Sequence, residues 1–146
     1  MSVAKSGGLL KAVFDTNVYF SAFSSPRGVP SELWRRAARG DFVLIVSRGI
    51  VTELADVLRR DIKRTESEIM AQLKRVARVA KIVEPRFTLD VVTADHDDDR
   101  ILECAVAGKA DLIVSYDHHL TDLKAFQGIG IVRPVDFLRI LGTHST

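Results

Sequence analysis

Acidic side chains recur at four separated places in this chain: Asp15, Glu53, the run Asp97-Asp98-Asp99, and Asp117. Each lies past a short apolar stretch. Asp15 ends the run Leu9–Phe14. Ser47 closes Phe42–Val46, and Glu53 follows six residues later. The acidic run comes beyond a loop after Lys81–Glu84, and Asp117 follows Leu112–Ser115. Carboxylates gathered in one place repel, so each needs a counter-charge. Hard divalent cations supply it and prefer oxygen ligands. A cation held by a few carboxylates can activate a water and stabilise both oxygens of an in-line displacement. The chemistry implied is phosphodiester hydrolysis, with Mg2+ as the expected cofactor.

Taken singly, each acid has a plainer explanation. Asp15 and Asp117 could be turn residues or helix N-caps. Asp97 to Asp99 could simply complement the dipole at a helix start, and Glu53 could be an ordinary surface residue of a helix. The signal lies in the coincidence of all four with strand ends, which requires elements that bring those ends together.

Those elements are legible. Leu9–Phe14, Phe42–Val46, Lys81–Glu84, Leu112–Ser115 and Ile129–Val132 read as five strands, apolar and rich in β-branched residues. Between them run helical patterns. One is capped by Ser31 and stopped by Gly40, one runs from about Ser47 to Leu58, and one from about Ser67 to Lys81. Another is opened by the acidic run and ended by Gly108, and a last short one is capped by Asp136. Alternating strands and helices predict an α/β fold: a parallel, about five-stranded sheet in a three-layer α/β/α sandwich. Such sheets bind ligands beyond the carboxyl ends of their strands, where the four acids stand. A single domain over residues 11–141 is expected, with a flexible tail at 1–10 and another at 142–146.

Within the acidic run, helical spacing distinguishes neighbours. From Asp98, positions i+3, i+4 and i+7 are Ile101, Leu102 and Ala105, an apolar face. From Asp99 they are Leu102, Glu103 and Val106. Asp98 is therefore expected to face the sheet as the third ligand, and Asp99 to lean toward solvent with Arg100 and Glu103; a helix start shifted by one residue would exchange the two.

The bulk composition narrows the classes. The chain has 146 residues, 47% hydrophobic and 27% charged, which is ordinary for a globular domain. No apolar run approaches the ~20 residues that span a bilayer. Cys104, the single cysteine, excludes an internal disulfide, and a cytoplasmic location is expected. Net charge is only +2, but it is unevenly distributed. Arg59, Arg60, Lys63 and Arg64 begin a basic stretch that either tracks nucleic-acid phosphates or is a solvated helix face. Trp34 and Phe42 read as core, and Cys104 as buried and inert.

The chain resembles the PIN-domain nucleases. The likeness rests on Val13-Phe14-Asp15-Thr16-Asn17, Glu53-Leu54-Ala55-Asp56-Val57-Leu58, Asp97-Asp98-Asp99-Arg100-Ile101-Leu102-Glu103-Cys104-Ala105, and Ala110-Asp111-Leu112-Ile113-Val114-Ser115-Tyr116-Asp117. It is closest to the prokaryotic members regarded as toxins of type II toxin–antitoxin pairs. The resemblance implies magnesium- or manganese-dependent cleavage of single-stranded RNA and a small antitoxin partner, with a homodimer among the assemblies to test. It implies metal ligation by Asp15, Glu53, an Asp of the acidic run and Asp117, with Asn17 and Ser115 supporting the site by hydrogen bonding; Thr16 and Asp99 are expected to support it as well. Two positions depart from the pattern: His119 stands where relatives often carry another acid, and Tyr116 where they often carry Gly. Adjacent histidines on a loop rarely bind one ion, so loop polarity or substrate contact is the expected role of His118 and His119, and His96 is read in the same way.

Three other functions compete. A receiver domain would need a phosphoacceptor Asp after the third strand and a Lys after the fifth, where this chain has Glu84-Pro85 and Arg133-Pro134. An Asp-x-Asp phosphatase fails at Asn17. A catalytically inactive PIN-like binding module is the remaining alternative.

Overall fold

Lys11–Phe14 (β1) is flanked on both sides by parallel strands, Val43–Ser47 (β2) and Leu112–Val114 (β4). The computed structural model describes residues 8–92 and 96–144; the residues expected as an N-terminal tail fall largely outside these. Beyond β2 lies Lys81–Val83 (β3), and beyond β4 lie Ile129–Val132 (β6) and the two-residue Ala125–Phe126 (β5). The sheet order is β3-β2-β1-β4-β6-β5, and only β5 is antiparallel to its neighbour. The five expected strands are all present. Strand β5 carries no period-2 pattern long enough to read from sequence.

The chain builds β1, β2 and β3 to one side, then crosses back to place β4 and β6 on the other. The direction reverses between β1 and β4, and in open α/β sheets such a switch point opens the ligand crevice. Setting β5 aside, the order 3-2-1-4 differs from the 2-1-3-4-5 order of receiver domains, which removes that competing reading.

The helices are Thr16–Ser24 (α1), Val29–Arg39 (α2), Arg48–Arg59 (α3), Glu66–Val79 (α4), His96–Ala107 (α5), His118–Thr121 (α6) and Pro134–His144 (α7). Ser47 caps α3 by accepting from the Ile50 N–H at 3.2 Å. Thr65 and Glu68 form a reciprocal capping box on α4. Ser31 does not cap α2, which begins at Gly28 with Pro30 in its first turn. Its hydroxyl instead donates to the carbonyls of Ala22 and Ser25, holding the α1–α2 turn. Helix α7 starts at Pro134 rather than after Asp136, and it runs through residues 142–144, which were expected as tail.

Helix α1 has no sequence signature. Its Thr16-Asn17-Val18-Tyr19-Phe20 opening is rich in poor helix formers. Burial of Val18 and Tyr19 overrides that propensity.

Register sorts the layers. Val13 pairs with Ile45, so both point to one face of the sheet and Phe14 points to the other. On the first face the end of α5 presses on Ile45, so closely that a Cβ on Gly108 would lie 2.7 Å from Ile45 Cγ2. On the second, Phe14 packs with Phe42 and with Phe137 of α7, ring centroids 5.8 and 6.4 Å apart. Helices thus cover both faces, giving the expected three layers. Trp34, Phe42 and Cys104 are buried, as expected. No helix among the described residues is long and apolar enough to cross a membrane.

Candidate active site

Asp15 ends β1 and caps α1, and its side chain is only 4% exposed. One carboxylate oxygen accepts the Thr16 N–H at 2.7 Å. The other accepts the Ser115 hydroxyl at 2.6 Å and the Asn17 amide at 3.2 Å. Burial pushes its pKa above the usual value; the bonds from Ser115 and Thr16 oppose the rise, and the Asp117 charge adds to it.

Ser115 and Asn17 tie the two strand ends together. Ser115 is fully buried, and its oxygen accepts the Asp117 N–H at 2.9 Å. Asn17 accepts the Tyr116 N–H at 3.3 Å while donating to Asp15. One α1 side chain and one β4-end side chain thereby fix the carboxylate of a third residue.

Asp117 caps α6 and accepts the His119 N–H at 2.9 Å. Asp98, 3% exposed, shares a hydrogen bond with it. Burial raises the Asp117 pKa, but that bond, the His119 N–H and the two neighbouring imidazoles outweigh it and hold it below the usual value. Two carboxyl groups in such contact need a proton or a cation between them. Ligand atoms of Asp98, Asp117 and His119 all lie within 4.8 Å of one another, which suits a single divalent ion.

Glu53 approaches indirectly. Thr16 Oγ1 lies 3.4 Å from Glu53 Oε1 and 3.5 Å from Asp15 Oδ1, bridging the two acids. All four expected acids therefore reach the β1/β4 switch point, with Asp15, Asp98 and Asp117 innermost.

Asp99 is a correction. It is fully buried rather than facing solvent, and one oxygen accepts the N–H groups of Val91 and Val92 at 2.9 and 2.8 Å. Glu103 is also buried; it accepts the Leu89 N–H at 2.7 Å and pairs with Arg100 at 2.6 Å. Helical spacing sorts faces but cannot see that the segment before α5 folds back over its polar side. Asp99 supports the site by anchoring that segment.

The basic stretch is also corrected in part. Arg59 pairs with Glu66 at 2.8 Å. Arg64 is nearly buried: it bonds Asp61, Gln72 and Ser24 and stacks over Phe20. The Arg64 guanidinium is thus withdrawn from the surface, while Arg59 stays exposed beside its partner. Arg60 and Lys63 are exposed. Arg60 lines a cleft of about 470 Å³ with Thr16, Asn17, Phe20, Ser21, Val57 and Asp61, which opens beside the acids.

In the structure His119 comes against the acids. It lies on the one-turn helix α6 rather than a loop, and its Nδ1 sits 3.3 Å from Asp117 Oδ1. The available signal was Asp117 itself, whose capping role turns the chain back on it. His118 stacks on His119 with centroids 4.2 Å apart. The side chain of His96 lies outside the described residues. Burial pushes the Cys104 thiol up to about 12, so it stays protonated and inert.

Comparisons with known proteins bear on the family and the fold. An uncharacterized protein, MJ1680 of Methanocaldococcus jannaschii, is 29% identical over 120 residues, covering 79% of this chain and 76% of that protein. Among solved structures, VapBC2 from Rickettsia felis bound to a DNA fragment from their promoter superposes with a TM-score of 0.62 at 13% identity. It covers 85% of this chain and 98% of its own. PAE2754 from Pyrobaculum aerophilum superposes with a TM-score of 0.63 at 14% identity, covering 96% and 99%. These likenesses show the fold. The sequence profile of the PIN domain matches residues 11–119, which include every acid of the site. The chain belongs to the PIN-domain family, whose members are generally nucleases.

Proposed function

We propose that this chain is a divalent-metal-dependent endoribonuclease that cleaves single-stranded RNA in the cytoplasm and is restrained by a small antitoxin protein. The observation that carries the proposal is the hydrogen-bonded pair Asp98–Asp117 beside the buried Asp15. Acids held this close in a folded chain have the donor set of a Mg2+ or Mn2+ site. Asp15, Asp98 and Asp117 would hold the ion, with Glu53 at its margin. A bound ion would supply an activated water and stabilise charge developing on phosphate oxygens.

The remaining side chains position. Ser115, Asn17 and Thr16 hold the Asp15 carboxylate in one orientation. Asp99 holds the backbone at residues 91 and 92 against the start of α5. Arg60 stands where a backbone phosphate of a strand lying in the neighbouring cleft would pass. The antitoxin follows from the family likeness, since the R. felis neighbour is itself a VapBC assembly.

Cleavage of a labelled single-stranded RNA with Mg2+ or Mn2+, with chelator, and by Asp98→Asn tests the enzyme. Loss of cutting in the last two, with the variant folded, is expected. Undiminished cutting by Asp98→Asn sinks the reading. Expression in bacteria should slow growth, and Asp15→Ala should relieve it.

A further inference from the structure

We infer that His119 is a nitrogen ligand of the metal centre, joining Asp98 and Asp117, and that it makes the site select Mn2+ over Mg2+. The inference rests on the active-site assignment above and deepens it. Three observations carry it. His119 belongs to the same cluster, one of its ring nitrogens lying within 4.8 Å of carboxylate oxygens from Asp98 and Asp117. His119 Nδ1 faces Asp117 Oδ1 at 3.3 Å, so the ring stands against that carboxylate. Helix α6, which carries it, is fixed at both ends: Asp117 caps its start, and Leu120 is fully buried beneath it.

Mg2+ demands near-ideal octahedral oxygen coordination and gives up its waters reluctantly. Imidazole is a softer donor than carboxylate, and first-row transition ions accept it more readily than Mg2+ does. A site of two carboxylates and one imidazole therefore discriminates between ions of equal charge. Replacing the imidazole with a group that offers no nitrogen should erase the discrimination and leave the carboxylates in place. His119 is 42% exposed on its side chain, so its replacement should not unfold the chain.

Binding of Mn2+ to the full chain, followed by its paramagnetic resonance with Mg2+ as competitor, tests the assignment without any catalytic readout. Wild type should bind Mn2+ roughly tenfold or more tightly than Mg2+ and show nitrogen hyperfine coupling in pulsed spectra. His119→Ala should lose the coupling and most of the preference, while His118→Ala keeps both. Coupling absent in wild type, or coupling and preference that survive in His119→Ala, overturns the inference. If Asp98→Asn abolishes Mn2+ binding while His119→Ala changes nothing, His119 is no ligand and the acidic centre stands. If Asp98→Asn and Asp117→Asn both bind Mn2+ like wild type, the centre itself is misplaced and the inference falls with it.

Discussion

Ser115 donates a 2.6 Å hydrogen bond to the Asp15 carboxylate across 100 residues of sequence, fastening the end of β4 to the end of β1. The contact sits where the sheet changes direction, so the strands that form the crevice also orient its most buried acid. Ser115 in turn receives the Asp117 N–H, which sets the position of a second acid from the same hydroxyl.

A pH dependence follows for Asp15. Its carboxyl is held above the usual 3.8, mainly by burial, so the folded chain binds that proton more tightly than the unfolded chain. Its contribution is therefore least unfavourable below about pH 4, and stability is lost as pH rises through the folded value. Asp15→Asn removes the charge and should raise metal-free stability at neutral pH by on the order of 1 kcal/mol or less. Melting curves of both proteins should converge as pH falls toward 4. A variant equally shifted at every pH would contradict the titration origin.

Divalent metal should raise the melting temperature by binding only the folded chain, and a hundredfold excess over Kd should add about 2.7 kcal/mol. Asp98→Asn should lose most of this response and remain folded. A full response in Asp98→Asn, measured by scanning fluorimetry with Mn2+, would exclude it as a ligand.

Asp99 should behave differently from its neighbour. Asp99→Ala strands the N–H groups of Val91 and Val92, at a cost of about 1–3 kcal/mol. Asp99→Asn keeps an acceptor oxygen and should retain most of the cleavage rate. Urea unfolding together with rates on the two variants checks both statements, and a stable but inactive Asp99→Asn would contradict them.

The basic residues should divide by their contacts. Arg60→Ala should weaken RNA binding and lower the salt slope by roughly one. Arg64→Ala should instead lower stability by about 1–2 kcal/mol, because it breaks bonds to Asp61, Gln72 and Ser24. A salt slope unchanged in Arg60→Ala would make that residue an ordinary solvated charge.

Gly108 should resist substitution because of proximity. A Cβ there meets Ile45 Cγ2 at 2.7 Å, where α5 crosses β2. Gly108→Ala should cost about 1–3 kcal/mol, and Ile45→Ala in the same chain should recover part of it. Strictly additive effects in the double variant would show that the two positions do not touch.

Sequence alone determined the five main strands, their parallel arrangement and the acids at their ends, because apolar runs and turn residues are local signals. Asp15, Glu53 and Asp117 were legible as acids a short offset from a strand, and Asp98 from the apolar face it shares with Ile101, Leu102 and Ala105. Tertiary structure decided what lies across space from those offsets. Helix α1 forms against its own propensity because Val18 and Tyr19 find the core. Asp99 is buried because the segment at 89–92 folds over α5, and Arg64 is withdrawn because Asp61, Gln72 and Phe20 converge on it. His119 joins the acids only because a one-turn helix aims its ring at Asp117. Periodicity reports which face a residue occupies; what covers that face depends on contacts between segments distant in sequence, which no local pattern encodes.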